Sequence, residues 1–194
     1  LKGASFEKKL VSQTYDGLRV EPLYPRAAGV VPVAGRKAGD AWTVAQRIDH
    51  PDPKAANKLA LQDLENGASG LSLLLAGAPA AHGFGVAAST ADALDAVFAD
   101  VMLDLISLRI ETAPFAGRPI ATLMIEFVAR QKLDPSKLAI DFGLDPIGDF
   151  ARTGASPLPW SDLSARAGET AKLLQTKGFS QASFLRADGR VIHD

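Results

Sequence analysis

Arg109 and Glu111 stand two residues apart in the segment from Ile106 to Thr112, interleaved with Leu108 and Ile110. An extended chain turns alternate side chains to opposite faces, so Ser107, Arg109 and Glu111 share one face and the two aliphatic residues share the other. Arg47 and Asp141 occupy comparable positions in two other strand candidates. Strands packed into one sheet would bring two arginines and two carboxylates, Arg47, Arg109, Glu111 and Asp141, onto a common surface. Buried charges of balanced sign are tolerated only as paired, hydrogen-bonded groups. One reading of the four is therefore a plug of ion pairs. The other is that Arg47 and Arg109 hold an anionic substrate, as guanidinium groups do well.

Other chemistry is poorly supplied. His50, His82 and His193 are the three histidines, and none has a second histidine or a carboxylate at metal-ligand spacing on one helix, so no metal site is expected. His82, in Ala81-His82-Gly83-Phe84-Gly85, sits in a loop after a strand, where a ligand role or simple solvation are both open. Gly77, Gly83 and Gly85 lack the spacing, lysine and helix start of a phosphate-binding loop. The stretch Gly148 to Gly154 places Arg152 near a loop, where it reads as a surface charge. With no cysteine in the chain, disulfides, thiolate metal sites and cysteine nucleophiles are excluded, and the cytoplasm is the expected compartment.

The elements that must position these residues are signposted. From Trp42 onward strands alternate with helices, the pattern of a parallel sheet. Strands are expected at Trp42 to Ile48, Gly70 to Leu75, Ile106 to Thr112, Leu138 to Phe142 and Ser183 to Ala187. Asp52 and Pro53 open a helix that stops at Asn66-Gly67, and Ser89 or Thr90 caps the next. Pro119 and Ser161 start two more. Ahead of them, residues 5 to 14 read as a short helix and Leu18 to Tyr24 as a strand. Pro25, Pro32 and the glycines up to Gly39 make an extended arm suited to lying on a surface, such as a partner's. The expected division is an arm over 1–40 and an α/β domain over 41–194.

Repeated strand-helix units close into a (β/α)8 TIM-type barrel or open into a doubly wound sheet. The doubly wound form would place a glycine-rich phosphate loop after its first strand, and Ile48-Asp49-His50-Pro51 is nothing of the kind. A full barrel needs eight units over roughly 200 to 250 residues. Four to five units fit this chain, so an incomplete barrel is expected, with its sheet completed by a further segment. In a barrel clad with helices the apolar strand faces turn outward, which points the four charges into the lumen.

The 194 residues are 47% hydrophobic and 22% charged, a composition that can bury a sizeable core. Basic and acidic residues number 21 and 22, so the electrostatic footprint of a nucleic-acid binder is missing. The apolar run from Gly70 to Ala81 is too short to span a membrane and is broken by Gly77 and Pro79. Neither nucleic acid nor membrane is expected as a partner.

Several blocks carry a family resemblance: Leu1-Lys2-Gly3-Ala4-Ser5-Phe6-Glu7-Lys8-Lys9-Leu10, Tyr15-Asp16-Gly17-Leu18-Arg19-Val20-Glu21-Pro22-Leu23-Tyr24, Trp42-Thr43-Val44-Ala45-Gln46-Arg47-Ile48 and Glu65-Asn66-Gly67-Ala68-Ser69-Gly70-Leu71-Ser72. They resemble the methylmalonyl-CoA mutase family, in its small, non-catalytic subunits. The resemblance implies a barrel threaded by the pantetheine arm of coenzyme A, and a cobalamin-dependent rearrangement between methylmalonyl-CoA and succinyl-CoA. It implies a heterodimer with a homologous catalytic subunit that meets the acyl-CoA. Adenosylcobalamin would belong to the holoenzyme and not be bound by this chain.

Residue by residue, the resemblance implies that no catalytic group is kept. Catalytic members read Trp-Thr-Ile-Arg-Gln-Tyr on the first strand. Here Ala45 replaces the arginine, Arg47 the tyrosine, and Asp40 a further substrate-side arginine. Thr43 and Ser72 match substrate-binding positions. Arg109 and Glu111 replace small hydroxyl residues, and Asp141 and Gly143 replace a threonine and a glutamine, while Asp145 is kept. The substrate-carboxylate arginine aligns with Thr153, or with Arg152 after a one-residue slip, and the family histidine reaches His193 only by another shift. The expected role is structural. The alternative is an active or divergent acyl-CoA mutase whose site is rebuilt around Arg47, Arg109 and His82.

Overall fold

Ser5 caps the first helix by accepting from the Lys8 N–H at 3.3 Å, and the polypeptide then turns into a small hairpin. The computed structural model describes residues 3–29 and 39–192, which form two units, Leu1–Ala41 and Trp42–Asp194. Pro32, in the expected arm, and His193 lie outside the described residues.

In the first unit, helix α1 (Phe6–Leu10) is followed by β1 (Ser12–Gln13), paired antiparallel with β2 (Arg19–Val20). The expected helix over 5–14 therefore stops early. Val11 is already extended, and Ser12 and Gln13 go to the hairpin, whose turn places Gly17 at φ 78. The expected strand to Tyr24 is likewise cut to two residues, since Pro22 has no N–H to give a ladder. Arg19 ties the unit together through ion pairs to Glu7 and Glu21. No described residue of this unit is buried.

The second unit runs β3 (Ala45–Ile48), α2 (Pro53–Glu65), β4 (Gly70–Leu74), α3 (Ala91–Val97), β5 (Ser107–Glu111), α4 (Gly117–Arg130), β6 (Ala139–Leu144), α5 (Pro146–Thr153), α6 (Trp160–Thr176) and β7 (Ser183–Leu185), with three short 3-10 turns. All five strands are parallel and neighbour one another in chain order, with no reversal of direction along the sheet. Right-handed crossovers in that order put every connecting helix on the same face.

Alternation explains the packing. Leu71, Leu73, Leu108, Ile110, Ile140 and Phe142 point to the helical layer, where they meet Leu94, Met124, Phe127 and Leu174, all buried. Phe142 packs edge-on against Phe179, with ring centroids 5.6 Å apart. Side chains stitch the helices: Asn57 of α2 donates to the carbonyls of Val97 and Ala99 at 2.9 and 2.8 Å. The strand expected from Trp42 begins only at Ala45, and Trp42 is exposed.

A helix that the sequence reading does not include, α5, follows β6, and Arg152, read as a surface charge near a loop, lies in its last turn. Asp145 caps this helix by accepting from the Gly148 N–H at 2.9 Å, Pro146 fills its first turn, and Gly154 closes it at φ 66.

Candidate functional site

The face of the sheet opposite the helices is layered by strand register. Nearest the N-terminal ends, Ala45, Gly70, Ser107 and Ala139 form a row of small residues. The next row crosses all five strands as Arg47, Ser72, Arg109, Asp141 and Ser183. Above it Leu74 pairs with Glu111, and Leu74 is capped by Ala78 and Ala81 from a 3-10 turn. The parallel ladder thus brings the four expected charges onto one surface. Ser72 lies in the charged row between Arg47 and Arg109. Thr43 lies lower, beside Gly70, where a Cβ on Gly70 would crowd its methyl and overlap Ser107 Oγ.

The pairing differs from a closed foursome. Arg47 turns along its own strand to Asp49, with Nε 2.8 Å from Oδ2. Arg109 reaches Glu111 at 3.3 Å, and Glu111 also accepts from Arg190 at 3.2 Å. Asp141 takes Arg186, with contacts of 3.0 and 2.9 Å, and the Gly143 N–H at 3.0 Å. Arg186 also donates to the Ile110 carbonyl at 3.2 Å. The burial expected of all four charges holds for Glu111, whose side chain is 11% exposed, but not for Asp141, at 32%, or for Arg47 and Arg109, at 45% and 44%. Long charged side chains of this kind keep contact with solvent.

Four residues of this network went unread in the sequence: Asp49, Arg186, Asp188 and Arg190. Arg186, Asp188 and Arg190 follow β7 and run into a 3-10 turn over Gly189–Ile192, so strand alternation does not mark them. Asp188 is held by Arg190, whose guanidinium pulls its carboxyl down to about 2, and Arg190 is in turn driven further into its charged form. Gly143 makes room for this arrangement. It sits at φ 60, and a Cβ there would overlap the Arg186 guanidinium.

At the C-terminal ends of the strands the network borders a cavity of ≈ 330 Å³, with Arg47, His82, Glu111, Arg152, Arg186 and Arg190 among its walls. His82 is exposed in a left-handed turn at φ 48. Arg152 faces this cavity from α5, whereas Thr153 donates its hydroxyl to the Asp149 and Ala155 carbonyls. Asp145, besides capping α5, accepts from the Asp188 N–H at 2.8 Å. Asp149, one turn on, accepts from the Phe115 N–H at 2.8 Å, and burial raises its carboxyl above the ordinary range, helped by the neighbouring Asp145. Among the described residues no group of three or more His, Asp or Glu side chains is placed to hold a metal ion. None of the described helices is long and apolar enough to cross a membrane.

Chemically, the face carries ion pairs, Arg47 with Asp49, Arg109 and Arg190 with Glu111, and Arg186 with Asp141. Comparison with known proteins gives this arrangement a setting. The methylmalonyl-CoA mutase family model matches residues 22–177. The methylmalonyl-CoA mutase small subunit of Streptomyces virginiae is 29% identical over 169 residues, which is 79% of this chain and 26% of that protein. The methylmalonyl-CoA mutase small subunit of Propionibacterium freudenreichii subsp. shermanii is 31% identical over 164 residues, 77% of this chain and 24% of that protein. The chain spans about a quarter of the length of these curated relatives. With most of its residues matched by the family model, including every strand that builds the charged face except β7, the chain belongs to the methylmalonyl-CoA mutase family.

Proposed function

We propose that this chain is a portion of a non-catalytic small subunit of methylmalonyl-CoA mutase, whose task is to pair with a homologous catalytic chain and stabilise it. The observation that carries this reading is the row Arg47, Ser72, Arg109, Asp141 and Ser183 on the helix-free face, with each of its charges engaged by an opposite one. Five parallel strands in chain order with helices on one face have the geometry of part of a (β/α)8 barrel, and the charged row then points into the lumen. A pantetheine arm passing along that axis would have to displace Arg186 from Asp141 and Arg190 from Glu111. Polar groups buried by the ligand would lose partners, at about 1–3 kcal/mol each.

One further feature supports the reading. None of the described residues of the first unit is buried, and Tyr15, Leu23 and Tyr24 are 111%, 84% and 65% exposed, which suits a segment that lies on a partner subunit. On this reading adenosylcobalamin belongs to the holoenzyme and is not bound by this chain.

The test is co-purification together with turnover. The chain should recover a larger mutase-like chain and show no isomerisation of methylmalonyl-CoA alone with added adenosylcobalamin. Normal turnover by the chain alone would refute the proposal. The competing reading, an acyl-CoA mutase rebuilt around Arg47, Arg109 and His82, draws on the exposure of the two arginine heads. It requires saturable acyl-CoA binding that Arg109→Ala abolishes.

A further inference from the structure

A second concavity lies in the helical layer, away from the charged row. It is a groove of ≈ 660 Å³ among α4, α5 and α6, walled by Phe115, Pro119, Leu144, Pro157, Leu158 and Leu163. That volume falls in the range of small-molecule sites, about 300–1,000 Å³, and apolar walls with few polar groups are their usual make-up. The polar groups here are specific. Along α6 the residues turned to the groove are Leu163, Arg166, Ala167 and Thr170, a stripe of helical period. Thr170 is buried and spends its hydroxyl on the Arg166 carbonyl at 2.7 Å. Arg118, across the groove on α4, is bridged to Glu169 at 2.7 Å.

Arg166 is different. It is exposed, its guanidinium has no ion pair or hydrogen bond among the described residues, and it stands beside Leu163 and Ala167 at the rim of the groove. An uncommitted planar cation beside hydrocarbon walls matches a ligand with one anionic head and an apolar body, because guanidinium and carboxylate form paired hydrogen bonds. At the inner end two carboxylates also line the groove, Asp149, which accepts from the Phe115 N–H, and Asp145, which accepts from the Gly148 and Asp188 N–H groups.

We propose that the groove between α4, α5 and α6 binds a medium-chain carboxylate, with its head on Arg166 and its hydrocarbon tail against Leu144, Leu158 and Leu163.

Titration calorimetry of the chain with decanoate, decanol and decyltrimethylammonium tests this. Decanoate should bind saturably at one site, and decanol and the cation at least about tenfold more weakly, the factor that one lost charge-assisted contact of 1.4 kcal/mol gives. Arg166→Glu should weaken decanoate by at least the same factor. Ala167→Trp, which fills the groove from an incompletely buried helix position, should abolish it. Both variants should keep the parent melting temperature within a few degrees. The proposal is overturned by non-saturable uptake, by decanol binding as tightly as decanoate, or by unchanged binding to Arg166→Glu. It is equally overturned if sedimentation shows a dimer of the chain that Ala167→Trp disperses, since the groove would then be an interface between copies.

Discussion

Arg186 lies across Gly143 to reach Asp141, with its Nε 3.0 Å from Oδ2, and only the missing Cβ of the glycine allows the guanidinium to rest there. The contact joins the residue that follows β7 to β6 where their register shifts, and the Arg186 N–H donates to the Leu144 carbonyl at 3.1 Å beside it.

Gly143→Ala should therefore cost more than a surface substitution. It places a side chain at φ 60 and pushes the guanidinium away, and strain of this kind is worth about 1–3 kcal/mol. A urea melt should show the midpoint falling with little change in slope.

Asp141→Ala leaves Arg186, 15% exposed, with the Ile110 carbonyl as its remaining partner. A partly buried ion pair broken from one side costs about 1–3 kcal/mol, less than a fully buried one. The double variant Asp141→Leu with Arg186→Leu should recover part of that loss. A double-mutant cycle giving no coupling would show that the pair is solvated.

Phe127 sits at 2% exposure in the helical layer, its ring centroid 5.5 Å from that of Phe98. Phe127→Ala removes a large buried ring and should destabilise the chain by about 3–5 kcal/mol, measured by thermal or denaturant unfolding.

Asp149 and Asp188 should answer pH in opposite senses. Asp149 is raised in the folded state above its ordinary 3.8, so the stability linked to its protonated form is present at low pH and is lost as pH rises through the folded value. Asp149→Asn keeps an oxygen for the Phe115 N–H and removes the buried charge, so it should be at least as stable as the parent at neutral pH. Asp188 is lowered to about 2 from 3.8, so its contribution is present above pH 4 and is lost as pH falls toward 2. Asp188→Asn should flatten the acid limb of a stability-against-pH curve that Asp149→Asn leaves in place.

What the sequence made legible follows the range of the forces involved. Asp52-Pro53 at one end and Asn66-Gly67 at the other are local signals, and α2 spans Pro53–Glu65 between them. Asp145-Pro146 and Gly154 bracket α5 in the same way, yet the sequence reading takes from this stretch only a surface charge, Arg152, near a loop. Gly148 is buried against the Asp145 carboxylate, where any side chain would clash, which only the folded chain reveals. The face occupied by Arg47, Arg109, Glu111 and Asp141 was readable from alternation alone. Their partners were not, because Arg186 and Arg190 reach Asp141 and Glu111 across 45 and 79 positions of chain. Period two says which way a side chain points and leaves open what it meets.

Strands that neighbour one another in chain order also set a direction of assembly. Each strand from β4 to β7 leaves the ribosome after the strand it must join, so the sheet can extend by accretion at one growing margin with short loop closures. Every stage of such growth exposes a fresh row of unsatisfied amides, and at β7 that row carries Phe184 and Leu185. Synthesis of this chain is thus a succession of briefly adhesive intermediates, each protected by the arrival of the next strand.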